Sequence, residues 1–348
     1  MKKSVIALLT VLIGSGSAAA QQTAITKNDM QIDGLDPGIK IFIREKMAQG
    51  NTRFANDNIV LFLHGATSPS TCDFDLQYKD YSWADWLVKR GYVVYMGDYR
   101  NYGGSTHEAA MDEPASKNQP VARSYLALRD IEAMVNHIKQ TRNVQKVTLI
   151  GWSWGAMMGG YYASLHSDNV QKLVMYAPLY NFNDHTNLGP GSGLQNKRKP
   201  TEFNFALGAF RVASEAANTT RWNGEIPVDN KDEYRDPAVP AAFWSECLAT
   251  DPTSNSRTPP SLRAPNGVLE LSGNRPAAME RCQYLCTNSC DRRRFRHLVV
   301  SGGPRRLDAR TRSRSYKRNV LIKDATHFVL FEKNRQQFFE EILKFMKE

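Results

Sequence analysis

The sequence has no long apolar segment near its N-terminus, so we expect a cleaved signal peptide there, with a membrane anchor as the alternative. The apolar core at the N-terminus, Val5 to Ile13, is shorter than the ~20 residues that a bilayer-spanning helix needs. It follows two lysines and precedes small residues that end in an A-x-A site at Ala20, as in a secretory signal peptide. We therefore expect residues 1–20 to be removed, the mature chain to begin at Gln21, and the protein to be periplasmic or secreted.

Cysteine is scarce, with five in 348 residues. Cys282, Cys286 and Cys290 lie close together, but they lack the paired C-x-x-C spacing of zinc knuckles, so we expect no metal site there. Cys72 and Cys247 could form a disulfide in an oxidising compartment. Nothing in the sequence indicates that these two lie near each other.

Outside one segment the chain has no excess of positive charge. The formal charge is +10, but residues 271–316 hold eleven arginines against three acidic residues, and Lys2 and Lys3 supply the remainder. A basic patch for nucleic acid or another polyanion is one reading of the segment. We expect no nucleic-acid partner, because a basic arm seldom replaces a core strand.

Strand-like and helix-like segments alternate along most of the chain, which predicts an α/β protein with a doubly wound, mostly parallel sheet. The predicted strands are 39–44, 58–63, 92–96, 146–150, 172–178 and 319–327, and the predicted helices are 81–90, 125–138 and 335–347.

The alternation stops between residues 181 and 266. This region is too long for a loop and too poor in strands to extend the sheet, and its clearest helical pattern lies near 203–217. We predict a helical cap inserted after strand 6, above the strand ends where α/β proteins bind ligands. Residues 21–180 and 267–348 then form the two parts of the core, with 271–316 anomalous in composition.

The chemistry is expected at residues 151–155, Gly-Trp-Ser-Trp-Gly. This segment follows a short β-branched strand and precedes a run of small residues suited to a helix, which is the setting of a nucleophile elbow. Gly151 and Gly155 would leave space for the tight turn, and Ser153 would be the nucleophile. The alternative is a serine in an ordinary glycine-rich turn.

These features resemble the α/β-hydrolase superfamily. The matching pieces, in the family's order, are His64-Gly65 after a strand, the loop 98–105, the Ser153 elbow and the late segment 324–327. The resemblance implies a serine hydrolase that cleaves carboxylic esters through an acyl-enzyme. More loosely, the chain is similar to secreted bacterial serine esterases, including those that open macrolide lactones.

The resemblance also implies roles for individual residues. His327 would be the general base, although a surface histidine is the alternative. The backbone N–H groups of Ala66 and Trp154 would bind the oxyanion, and His64 would be structural. The substrate would be a small-molecule ester, with neither a metal nor an organic cofactor.

One member of the expected triad is missing. The family's acid lies some thirty residues before the histidine, and that position is occupied by Arg296. We interpret residues 271–316 as translated in a shifted frame, because a one-nucleotide shift permits an aspartate at this position. Asp184, Asp291 and Asp308 are weaker candidates, and Asp324 is too close to His327 in sequence.

Two other functions remain open. A proline-iminopeptidase-like peptidase would need an acidic pocket in the cap for the substrate amine, and Glu215, Glu225 and Asp229 are available for it. A catalytically impaired relative would result if the segment that carries the acid is scrambled.

Overall fold

The computed structural model describes residues 23–178, 194–269, 297–302 and 317–348. The predicted signal peptide, the three clustered cysteines and Arg296 lie outside the described residues. Among the helices of the described ranges, none has both the length and the apolar character needed to cross a membrane.

An eight-stranded main sheet organises the chain, with strand order β1-β2-β4-β3-β5-β6-β11-β12. Its first two strands run antiparallel to their neighbours, and the six strands from β4 to β12 are parallel. This confirms the predicted doubly wound sheet. The strands are β1 (Ile25–Asp33), β2 (Lys40–Ala48), β3 (Ile59–Leu63), β4 (Val93–Gly97), β5 (Val147–Trp152), β6 (Val170–Tyr176), β11 (His297–Gly302) and β12 (Lys317–Ile322).

Helices cover both faces of the main sheet. Neighbouring residues of β5 show the two layers, because Leu149 packs into one buried cluster and Ile150 into the other. The helices are α1 (Ser70–Phe74), α2 (Trp83–Val88), α3 (Ser124–Arg142), α4 (Trp154–Leu165), α5 (Glu215–Glu225), α6 (Val239–Thr250) and α7 (Arg335–Lys347). α3 and α4 pack on the Leu149 side, and α2 and α7 on the Ile150 side together with residues of α5 and α6.

The inserted region combines helices with short strands. Its described part holds α5, α6 and two antiparallel ribbons, formed by β7 (Gln195–Asn196) with β8 (Lys199–Phe203) and by β9 (Phe210–Ala213) with β10 (Leu262–Pro265). The predicted helix over 203–217 is therefore wrong. Gly208 has φ +78° and interrupts the segment, and the Ser214 side chain accepts a hydrogen bond from Ala217 N–H to begin α5 there.

A disulfide joins the inserted region to the core. Cys72 in α1 and Cys247 in α6 are bonded, with their Cα atoms 5.1 Å apart and a separation of 175 positions in sequence. The pairing that the sequence left open is therefore present in the structure. It ties the inserted region to the segment that follows β3.

Candidate active site

Ser153 occupies the turn between β5 and α4. Its backbone is left-handed, with φ +56° and ψ −115°, a region that a non-glycine residue adopts only when its surroundings enforce it. The Ser153 N–H donates to the Tyr176 carbonyl oxygen at 2.9 Å, and its own carbonyl accepts from the first turn of α4. These contacts fix the serine at the carboxyl edge of the parallel strands.

The two flanking glycines are required by close backbone approaches. A Cβ on Gly155 would fall within 3.0 Å of the carbonyl oxygens of Leu63 and His64. A Cβ on Gly151 would meet the Gly155 carbonyl just as closely. The turn therefore presses α4 against the end of β3, the place where the sequence pattern predicted an elbow.

The loop after β3 lies beside the serine. An ideal Cβ on Gly65 would be 3.8 Å from the Cβ of Ser153, and Ala66 follows directly. Trp154 is the first residue of α4, where N–H groups have no partner within the helix. Among the described residues, nothing accepts a hydrogen bond from the N–H of Ala66 or of Trp154. Within the described residues, the two N–H groups predicted to bind the oxyanion therefore have no other hydrogen-bond acceptor.

His64 is fully buried behind this loop. Its Nδ1 is 2.8 Å from the Gly65 carbonyl, and its Nε2 is 3.2 Å from the Tyr99 N–H, an arrangement that suits a neutral ring protonated at Nδ1. Burial lowers the pKa of His64 to about 3. A neutral imidazole in this place orders the Gly65 peptide and is unsuited to act as the general base.

His327 follows β12 at the same edge of the sheet. Its main chain is held on both sides: the Trp152 Nε1–H and the Tyr176 hydroxyl donate to its carbonyl, and its N–H donates to Glu225 at 3.0 Å. The imidazole lies 5.5 Å from the Trp152 ring, centroid to centroid. Residues of the elbow strand, of β6 and of α5 therefore position this histidine together.

Glu332 holds the turn that precedes His327. It is fully buried and accepts hydrogen bonds from the Thr326 N–H and from Trp222 Nε1–H, each at 2.9 Å. Burial raises the pKa of its carboxyl group. Sequence reasoning missed Glu332, since a glutamate before a terminal amphipathic helix looks like an ordinary surface residue.

One small cleft contains the serine, the histidine and the loop after β3. Its volume is about 40 Å³, which is room for a few water molecules. Ser153, His327 and Ala66, predicted separately, thus line the same space. The lining residues are Gly65, Ala66, Thr67, Ser68, Trp152, Ser153, Asn218, Arg221, Phe243, His327 and Phe328.

Arg211 of β9 braces the loop after β3 from the inserted region. Its Nη2 donates to the Ala66 carbonyl at 2.8 Å and to Thr67 Oγ1 at 3.0 Å, while Nη1 donates to the Pro265 carbonyl at 3.0 Å. The Tyr102 hydroxyl donates to the same Ala66 carbonyl at 2.9 Å. Two donors on one carbonyl restrict the orientation of Ala66, and neither was evident in the sequence.

In the structure, the strand that would lead to the triad acid is β11, which begins at His297, after the position of Arg296. β11 pairs with β12 so that Gly302 is level with Ile322, at the edge that carries His327. Arg296 directly precedes β11 in sequence and lies outside the described residues. In this structure the acid implied by the family resemblance would follow Gly302, and Asp308, the candidate in that stretch, lies outside the described residues, as do Asp184 and Asp291.

The acidic residues considered for an amine pocket do not line the cleft. Glu215 and Asp229 are exposed at other points of the inserted region, and Glu225 is engaged by the His327 N–H. Across the described ranges, no three His, Cys, Asp or Glu side chains are grouped in a way that could hold a metal ion.

Comparison with known proteins identifies the family. A family model described as alpha/beta hydrolase fold matches residues 58–246, more than half of the 348-residue chain. The chain therefore belongs to the α/β-hydrolase family and is a hydrolase of that family. Among curated proteins, no match was found.

Solved structures show the same fold. A thioesterase domain from the curacin biosynthetic pathway is 13% identical with a TM-score of 0.57, covering 91% of this chain and 99% of its own. A thermophilic esterase from Thermogutta terrifontis is 15% identical with a TM-score of 0.53 and coverages of 92% and 98%. An epoxide hydrolase from Vigna radiata is 17% identical with a TM-score of 0.55 and coverages of 93% and 98%.

Proposed function

We propose that this protein is a serine esterase that cleaves small-molecule carboxylic esters through an acyl-enzyme. The observation that carries the proposal is the cleft itself. It brings a serine in left-handed backbone geometry together with His327 and the Gly65–Ala66 loop. A serine hydroxyl needs a base to become nucleophilic, and the tetrahedral intermediate needs N–H donors, so these groups supply what acyl transfer requires.

The proposed reaction has two halves. The Oγ atom of Ser153 attacks the ester carbonyl carbon while His327 takes the proton of the Ser153 hydroxyl. The resulting oxyanion accepts hydrogen bonds from the N–H groups of Ala66 and Trp154. His327 then gives that proton to the departing alcohol, which leaves an acyl group on Ser153. In the second half, water loses a proton to His327 and attacks the acyl carbon. Ser153 leaves with that proton, and the carboxylic acid is released.

The test uses two independent readouts on the mature chain. We expect turnover of 4-nitrophenyl hexanoate and covalent labelling of Ser153 by a fluorophosphonate, located by peptide mass. Ser153→Ala should remove labelling and lower kcat by ~10⁴-fold or more. Ser164→Ala, on the same helix, is the matched control. Labelling at a residue other than Ser153, or hydrolysis that survives Ser153→Ala, would refute the assignment.

The peptidase alternative receives no support from the cleft. The polar residues of the inserted region that line the cleft are Asn218, which is uncharged, and Arg221, whose positive charge repels a substrate ammonium group. We therefore expect aryl esters to be hydrolysed and aminoacyl arylamides to be left intact. Faster cleavage of proline 4-nitroanilide than of the hexanoate ester would reverse this conclusion.

We further propose that the protein works in the periplasm or the medium. The disulfide between Cys72 and Cys247 supports this location, because such bonds persist in oxidising compartments. A macrolide lactone belongs to the same reaction class, and ring opening would add one water to its mass. A test with erythromycin as the probe would detect or exclude that activity directly.

We propose that the reading frame of residues 271–316 determines the kcat of the protein. We propose that sequencing the coding region from Val268 to Val320 on both strands will reveal a one-base gain and a compensating loss. The restored protein should then exceed the present chain in kcat by ~10³-fold or more, the scale of a triad acid. A confirmed reading frame would favour an impaired enzyme that still labels at Ser153.

A further inference from the structure

Helix α5 presents two polar side chains to the cleft. Asn218 and Arg221 are three residues apart, so they lie on the same face of the helix, and both line the space beside Ser153. The helix is fixed in place by Trp222, which is fully buried, stacks on Phe328 with ring centroids 4.8 Å apart, and donates to Glu332. Asn218 and Arg221 therefore form one side of the cleft, which we call the wall.

The Asn218 amide has an enclosed donor without an acceptor. Its Nδ2 atom is shielded from solvent and has no hydrogen-bond acceptor among the described residues. A buried N–H group without a partner is energetically costly, so such groups persist mainly where a ligand or another group uses them. Because Asn218 lines the cleft, a bound ligand is in a position to supply the missing acceptor.

Arg221 also retains unused donors. Its Nε donates to Glu225 at 3.3 Å, and its guanidinium lies 5.4 Å from the centre of the Phe328 ring. Neither Nη group donates a hydrogen bond within the described residues, and the side chain is 53% exposed. The outer edge of the guanidinium, the part that binds a carboxylate with two parallel hydrogen bonds, is therefore open.

The charges around the wall favour a negative group. Arg211 has no carboxylate partner in the described residues, and its cation lies close enough to Arg221 for each to raise the local positive potential. Within the described ranges, Arg221 is paired with the carboxylate of Glu225. The second oxygen of that carboxylate accepts a hydrogen bond from the His327 N–H. Glu332 is occupied by Thr326 and Trp222.

We propose that Asn218 and Arg221 form a carboxylate-binding subsite, and that the preferred substrates are esters that carry a second, ionised carboxylate. A carboxylate is planar, negatively charged and accepts hydrogen bonds only, which complements the unpaired Nδ2–H of Asn218 and the open edge of the Arg221 guanidinium. The proposal rests on the proposed esterase function and specifies its substrate class. The reacting ester would occupy Ser153 while the second carboxylate binds α5.

The first experiment compares two esters of equal length and equal leaving group. The mono-4-nitrophenyl ester of adipic acid carries a free carboxylate, whereas 4-nitrophenyl hexanoate does not. The measured quantity is the ratio of their kcat/KM values after subtraction of spontaneous hydrolysis. We expect the wild type to favour the adipate ester and Arg221→Gln to lower the ratio about tenfold, which corresponds to about 1.4 kcal/mol.

The chain offers a matched control. Arg53 and Asp57 form an i,i+4 ion pair with exposures of 59% and 60%, similar in type to the pair of Arg221 with Glu225. Arg53→Gln removes such a pair far from the cleft and should leave the ratio unchanged. Because Arg221 is half exposed, the wild-type preference should also weaken between 20 mM and 500 mM salt.

A second variant tests the amide. Asn218→Asp keeps the shape of the side chain, removes its donor and adds a negative charge, so the ratio should fall below that of Arg221→Gln. Thermal unfolding of each variant shows whether the fold is intact. A variant that lowers turnover of both esters equally would assign Arg221 or Asn218 a structural role and overturn the subsite.

The two proposals fail in different ways. If the hexanoate ester is turned over and Ser153 is labelled, but the ratio is unaffected by either variant, the esterase function stands and the subsite is refuted. If neither ester is turned over and Ser153 resists labelling, the esterase function fails, and the subsite fails with it.

Discussion

The core and the inserted region contribute to the cleft in different ways. The core supplies backbone geometry: a left-handed serine, two glycines in close backbone contact, and free N–H groups at Ala66 and Trp154. The inserted region supplies side chains, namely Arg211 behind the loop after β3 and Asn218 and Arg221 in the cleft. The proposed acyl transfer would thus depend on the packing of the main sheet, whereas the proposed selectivity would depend on a few polar side chains in the inserted region.

The sharpest test of this contrast compares two glycines. Gly155→Ala should lower the free energy of unfolding by about 4 kcal/mol or more, because the new Cβ would press on the Leu63 carbonyl and backbone atoms cannot move aside. Gly224→Ala in α5 meets nothing within 4 Å and should stabilise by about 0.5–1 kcal/mol. Urea unfolding measures both. Equal effects would show that the core turn is not constrained as described.

The covalent bond between the core and the inserted region can be removed by replacing the disulfide. Replacing Cys72 and Cys247 together by serine should lower the free energy of unfolding by about 3 kcal/mol, since the bond restricts a long loop of the unfolded chain. Urea unfolding of the oxidised wild type against the double variant gives the value. Adding a reductant should lower the free energy of unfolding of the wild type to that of the double variant and leave the value of the variant unchanged. A wild-type value that does not respond to reductant would contradict the role assigned to the disulfide.

The core side of the site should respond to acid through His64. Its folded-state pKa of about 3 is below the ordinary value of 6.5, so the unfolded state binds the proton more readily. The stabilisation is therefore complete above pH 6.5 and is lost as pH falls toward 3, about 2 kcal/mol between pH 8 and pH 5. His64→Gln should remove this part of the pH dependence of unfolding, and His166→Gln, at the surface, should not. Parallel pH profiles for wild type and His64→Gln would be evidence against a neutral buried ring.

The smallest expected effect concerns Arg211. Arg211→Met removes one of two donors to the Ala66 carbonyl, so kcat for the hexanoate ester should fall about tenfold with little change in KM. Arg211→Lys should recover part of the loss. Arg263 lies on the partner strand and contacts Met111 instead, so Arg263→Met is the control. A rise in KM with kcat intact would place Arg211 in substrate binding.

Sequence reasoning predicted the core well because its signals are local. The short β-branched run before Ser153 forms β5, and the amphipathic pattern near the C-terminus forms α7. The glycines at 151 and 155 were read from their spacing alone, and the structure shows the backbone contacts behind that spacing. Each of these features has a sequence signal that lies within a few residues, although the close contacts of Gly155 are with Leu63 and His64 of a distant segment.

The inserted region was harder to predict because its structure depends on distant contacts. Phe203 and Phe210 are both buried and lie in different strands, although their spacing also suits one helix. Arg211 contacts Ala66, which is 145 residues away in sequence, and Trp222 donates to Glu332, which is 110 residues away in the core. The position of the triad acid, counted back from His327 to residue 296, stays a prediction, because residue 296 lies outside the described residues.

The bond between Cys72 and Cys247 makes everything between them a covalently closed ring of chain. Cys72 lies a few residues beyond Ala66, so the closure is anchored beside the oxyanion loop. A protease that cuts once between α1 and α6 would produce two fragments that still migrate together until a thiol is added. Such a nicked protein would keep both walls of its cleft joined, and its activity in the presence and absence of reductant would report on how far catalysis depends on an unbroken backbone.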